Sequence, residues 1–217
     1  MSSNSTLVRA ARSALREQPV AQVLIPAVEF QFPARVATTA RGDFVVGSEV
    51  PAEALEGHRV QLHFAQARGG RMAVQGSLVA SRALDDNDYF TPLHGASDSL
   101  ALLEPDVVIW DQRGGDQFAL YGEEWTYAGA WSAENHEAVT AHLNDRHLDL
   151  LVAIASGAPV RRVVSIDPDG MLLENLDGLS HLLFPSAVVS PEAALDAIAV
   201  LIHGALSEPG RTRLYRA

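Results

Sequence analysis

The chain has 217 residues, 47% of them hydrophobic, with a formal net charge of -11 and a pI of about 5.1. That length suits one large domain or two small ones, and that apolar content supports a packed core and argues against disorder. An acidic chain repels phosphate backbones, which argues against nucleic acid as a partner. The absence of cysteine excludes disulfides, thiolate metal sites, Cys nucleophiles and iron–sulfur clusters.

The opening MSSNSTLVRAARSAL has no long apolar run after a basic start, so it does not read as a secretory signal. No stretch of about 18 uncharged apolar residues follows, so no membrane span is expected. A cytoplasmic protein is expected.

Residues 6–18 read as a helix that Pro19 ends, with Leu7, Val8, Ala11 and Leu15 on one face. Arg9, Arg12 and Arg16 form a basic stripe opposite, read as a solvated face or a docking surface. From Val20 to Leu84 short β-branched and aromatic runs alternate with turn-formers such as Arg41-Gly42-Asp43 and Arg68-Gly69-Gly70. In VQLHF, Val60, Leu62 and Phe64 point one way and Gln61 and His63 the other. PAEALEG reads as a short crossover, and residues 85–99 as an acidic loop containing His94. LALLEPDVVIWDQ and DQFALYG read as two further strands, and residues 123–132 as a linker. The closely spaced strands imply an antiparallel barrel or sandwich.

A second part begins near Ser132. Residues 134–156 read as one continuous helix with Val139, Leu143, Leu150 and Ile154 on its buried stripe and Gly157 at its end. RRVVSIDPDGMLLENL reads as a hairpin about Asp167-Pro168-Asp169-Gly170, and HLLFPSAVV as a third strand. Ser190 caps a last helix with Pro191 at its first position and Leu195, Ile198, Ala199, Ile202 and Leu206 as its apolar face.

No nucleotide-binding glycine loop, H-E-x-x-H or G-x-S-x-G occurs. The acidic trio Asp85, Asp86 and Asp88 reads as a solvated loop. Eight histidines are the remaining candidates for chemistry. On one helix His142 and His147 lie about 140° apart, which argues against their sharing a metal ion, whereas Asn144 and His147 share a face. His203 borders the last helix's apolar face. Trp110, Trp125 and Trp131 are expected around the domain junction.

HLNDRHLDLL, residues 142–151, resembles the H-[ML]-N-x-x-H-x-x-x-[LI] helix of a small domain often fused to split β-barrels, with His142, Asn144 and His147 as its motif. VVSIDPDGML and the Pro191-Glu192-Ala193-Ala194-Leu195 helix are similar to the elements that follow it there. This partnership occurs in HugZ-type haem-utilisation proteins and in related flavin-reductase-like proteins, whose barrels resemble pyridoxamine-phosphate oxidases. The resemblance implies an α+β chain: an antiparallel split β-barrel with its N-terminal helix over residues 1–130, then a small helix–hairpin–helix α/β domain over 131–217. It also implies a homodimer with its ligand site at the subunit interface. Flavin-binding members often carry a basic segment resembling H-T-R-N-L…D-P-R, and here PAEALEGHRVQLHF has Arg59 as its only arginine.

Three functions are consistent with the resemblance. The first is a haem-binding protein that degrades or carries haem, with His94 and then His63 as the iron ligand and Arg59 among the cofactor-binding residues. The second is an FMN-dependent oxidoreductase, which the missing basic segment places behind haem. The third is a non-enzymatic dimeric regulator linked to tetrapyrrole metabolism, docking through Arg9, Arg12 and Arg16.

Overall fold

The computed structural model describes residues 3–67, 70–80, 87–97, 99–112, 116–127, 133–155 and 159–207. Trp131, Asp85, Asp86, Gly157 and the C-terminal tail lie outside them. The chain divides into two compact units, Met1–Ala128 and Gly129–Ala217.

The first unit opens with helix α1 (Ser3–Arg16), followed by strands β1 (Val20–Ile25), β2 (Phe30–Thr38) and β3 (Phe44–Gly47). A one-turn helix, α2 (Ala52–Leu55), leads to β4 (Arg59–Ala67) and β5 (Gly70–Ala80). Helix α3 (Asn87–His94), β6 (Leu100–Gln112), β7 (Gln117–Tyr121) and α4 (Gly122–Trp125) complete it. The strands pair in the order β3-β2-β1-β4-β5-β6-β7, and β3 also pairs with β6. That last pairing, Phe44↔Leu103 to Gly47↔Leu100, closes six antiparallel strands into a split β-barrel and leaves β7 as a flap on β6. Closure removes the sheet edges that would otherwise need covering.

Alternation fills the barrel. Val60, Leu62 and Phe64 are buried on β4 while His63 is exposed, as the period of two requires. Phe44 stacks on Trp125 at 6.1 Å and tilts against Phe64 at 6.2 Å. Trp110 and Trp125 are both core residues of this unit.

Two expectations are corrected here. Residues 87–94 are a helix and not part of a loop, because Tyr89 and Phe90 bury against the barrel and outweigh the polar composition around them. Residues 122–125 are a helical turn and not part of a linker, because Trp125 is drawn wholly into the core.

The second unit holds α5 (Ala133–Arg146), α6 (Leu148–Ile154), β8 (Val160–Asp167), β9 (Gly170–Asn175), β10 (Gly178–Leu183) and α7 (Pro191–Ser207). Its sheet is antiparallel in the order β10-β9-β8, with Leu143, Leu151, Ile166, Met171, Phe184 and Ile198 in its core. Ser190 Oγ accepts a hydrogen bond from the Ala193 amide at 3.2 Å, the N-cap the sequence implies.

The helix expected over 134–156 is broken at His147, whose φ of -132° is not helical. The break rotates the second half, so Leu151 is buried and Leu150, expected inside, is exposed. On α7 the buried line is Ala194, Ile198 and Leu201, while Leu195, Ala199 and Leu206 face out. No helix among the described residues is long and apolar enough to cross a membrane.

Candidate functional site

Three polar clusters stand out, two in the barrel unit and one in the small unit. The first is built around α3. Phe90 is fully buried against Gly47 of β3, where a Cβ would overlap the ring, so the strand carries glycine at the point of closest approach. His94 lies one turn on, its ring 4.6 Å from that of Phe90. Gly95, with φ of +76°, ends the helix in the left-handed region.

His94 Nε2 is 3.0 Å from the Val36 carbonyl. A carbonyl only accepts, so Nε2 carries the proton and Nδ1 the lone pair. Arg35 Nη1 donates to the His94 carbonyl at 3.0 Å, and its guanidinium lies 5.4 Å from the centre of the Phe90 ring. Burial pushes the His94 pKa down and the Arg35 charge pushes it further, against the pull of the Val36 hydrogen bond. The uncharged imidazole, the form that ligates metals, is favoured.

His63 and Arg59 do not join this cluster. His63 sits on the exposed face of β4, bonded to Gln61 Oε1 at 3.1 Å. Arg59 is exposed and paired with Asp106 at 2.6 Å. Arg35 was missed by sequence reasoning, since nothing in FPARVATT separates it from an ordinary strand arginine.

The second cluster overturns the reading of α1 as a basic surface. Arg12 and Arg16 are only 5% and 4% exposed, leaving Arg9 alone partly accessible. The Arg12 guanidinium lies 3.8 Å from the Tyr127 ring centre and 5.7 Å from that of Trp125. Arg16 donates towards the Thr39 carbonyl at 3.5 Å. Rings that arrive more than a hundred positions later in the chain turn this stripe inward.

The third cluster lies in the small unit. Asp167, 2% exposed, accepts hydrogen bonds at Oδ1 from the Asp169 amide (2.7 Å) and the Gly170 amide (3.2 Å), shaping the Pro168-Asp169 turn. Its Oδ2 accepts from His181 Nε2 at 2.9 Å, both side chains being buried. His136, 2% exposed, has its pKa pushed down to about 4 by burial, with the Asp167 charge opposing. The sequence marks the Asp167 turn, but the buried partner shows only as a histidine inside the apolar run GLSHLL.

The motif HLNDRH serves two purposes. Leu143 is core. Asn144 Nδ2 donates to the Val163 carbonyl (3.0 Å) and its Oδ1 accepts from the Val163 amide (2.7 Å), clamping α5 to β8. Asn144→Ala removes both bonds and strands a β8 amide, an expected loss of about 1–3 kcal/mol, measurable by urea denaturation.

His142 and His147 correct the expectation that they occupy different faces. The break at His147 brings its Nε2 to 3.2 Å from that of His142. Among the described residues, no group of three or more His, Asp or Glu is placed to hold a metal ion.

No family model and no curated protein matches the chain. Among solved structures, it is similar to a protein of unknown function from Agrobacterium tumefaciens, 19% identical, with a TM-score of 0.67 over 93% of this chain and 97% of that one. That likeness is one of fold alone. Fainter ones are to a heme-binding protein from Mycobacterium smegmatis (15% identity, TM-score 0.43, 96% of this chain and 99% of that one) and to a general-stress-protein-26 relative of the pyridoxinephosphate oxidase family from Clostridium acetobutylicum (8% identity, TM-score 0.41, 56% and 98%).

Proposed function

We propose that the chain is a haem-binding split-barrel protein that degrades or carries haem, acting as a cytoplasmic homodimer. The observation that carries this reading is the state of His94. Ligand histidines usually donate their second ring N–H to a carbonyl or carboxylate, which fixes the tautomer and aims the lone pair. His94 does so through Nε2–H and the Val36 carbonyl, so Nδ1 would be the atom that holds the iron. Arg35, beside it, would supply the cation for a propionate. Bound haem would contribute an iron centre able to take oxygen or be handed on.

His63 and Arg59 fit the group less well, since each is exposed and already bonded to a neighbour. The Arg59–Asp106 pair also weakens the flavin reading, because it occupies the one arginine of the segment that would meet a flavin phosphate.

Titration of the purified chain with hemin tests the proposal. A shifted Soret band is expected, lost in His94→Ala and retained in His63→Ala. No shift in the unmodified protein, or an unchanged one in His94→Ala, would overturn it.

A further inference from the structure

The break between α5 and α6 has a chemical result beyond packing. His147 closes the last turn of α5 through its amide, bonded to the Leu143 carbonyl at 2.9 Å. Its carbonyl then accepts from the amides of Leu150 and Leu151, both at 3.1 Å, which starts α6. Held at this corner, its ring turns back onto that of His142, five positions earlier.

The Nε2 atoms are 3.2 Å apart while the ring centres are 4.9 Å apart. The nitrogens are therefore the facing edges of the two rings, set at 64° to each other. Two ring nitrogens at that spacing match the bite of a tetrahedral ion once neither carries a proton. Zinc–nitrogen bonds of about 2.0–2.1 Å place two ligand nitrogens about 3.3 Å apart. The pair is exposed, so an ion has direct entry. Leu143 in the core and Asn144 bonded to Val163 on β8 hold the carrying segment in place.

We infer that the α5–α6 corner is a binding site for a borderline divalent transition-metal ion, zinc foremost, with His142 Nε2 and His147 Nε2 as its two protein ligands. Water fills the remaining positions, so the site is open and of modest affinity, unlike a closed structural zinc centre. Imidazole pairs select zinc, copper or nickel over magnesium and calcium, which take oxygen ligands. The ion and the proton compete for the same lone pairs, so acid releases the metal. The inference is independent of the haem reading, which concerns the other unit.

Calorimetric titration of the untagged full chain with zinc chloride tests it. One zinc per chain is expected, with magnesium not competing. His142→Ala and His147→Ala should each weaken binding by about tenfold or more, the direction in which ligand loss exceeds the outer-shell losses known for metal sites. His203→Ala, at an exposed position of α7, should leave binding unchanged. His147→Gln, which keeps a polar side chain at the corner, separates ligand loss from a disturbed helix junction and should bind as weakly as the alanine variant. In imidazole-region NMR, zinc should shift the Nε2 resonances of both residues. No binding by the unmodified chain, or variants that bind as it does, would mean that the two rings share only a hydrogen bond, and would overturn the inference.

Discussion

Trp125→Ala is expected to destabilise the barrel unit by about 3–5 kcal/mol, the range for emptying a fully buried aromatic site. The indole is 0% exposed and packs parallel to Phe44. Its Nε1 donates to the Gly42 carbonyl at 2.7 Å, tying α4 to the β2–β3 turn. The Tyr127 amide, bonded to the Arg41 carbonyl at 2.9 Å, ties the same two segments. The ring also faces the Arg12 guanidinium, so its removal leaves a buried cation with one aromatic neighbour fewer. Trp125→Phe keeps a ring against Phe44 but leaves the Gly42 carbonyl without its donor, for an expected loss of about 1–3 kcal/mol. Urea denaturation followed by far-ultraviolet circular dichroism measures both. An alanine variant within about 1 kcal/mol of the parent would show that this tether contributes little, against the usual cost of such truncations.

Acid is expected to act on the small unit through His136. Its folded pKa of about 4 lies below the ordinary 6.5, so the unfolded chain binds the proton more tightly. Stability from this group is therefore fully present above about pH 6.5 and is lost as pH falls from there towards 4. The difference of 2.5 units (6.5 minus 4) corresponds to a total loss of about 3 kcal/mol at 1.36 kcal/mol per unit. Urea denaturation at pH 7 and pH 4.5 should show most of that drop. In His136→Phe, which puts an uncharged ring at the same buried position, the drop should shrink by about 2–3 kcal/mol. Equal pH dependence in parent and variant would place the acid sensitivity elsewhere.

The fold was legible where local pattern and tertiary burial agree. The alternation in VQLHF predicts which side chains of β4 enter the barrel, and Ser190-Pro191 marks the start of α7. It was not legible where a distant element decides. Nothing near Arg12 and Arg16 announces that Trp125, Tyr127 and Thr39 will enclose them. The α5–α6 break is hidden for another reason. HLNDRHLDLL has no glycine or proline, so periodicity runs straight through it, yet one non-helical residue moves Leu150 outward, Leu151 inward and the His147 ring onto that of His142. Of the candidate site, His94 could be picked out by residue type, but its tautomer rests on Val36 and its neighbouring cation on Arg35, both on β2, nearly 60 positions away.

The barrel's hydrogen-bonded circuit is uneven. β5 pairs with β6 along its whole length, from Gly70 to Ala80, whereas β1 meets β4 through only three residue pairs, Gln22↔His63, Val23↔Leu62 and Leu24↔Gln61. Undoing those three rungs does not dismantle the unit. It leaves one continuous open sheet, β1-β2-β3-β6-β5-β4, with every other pairing intact. The cost of such a breach is far below that of global unfolding, since local openings scale with the contacts they break. Behind the seam sit Val23 and Leu62, both fully buried. In mechanical terms the barrel is a clasped sheet whose fastening is three rungs long.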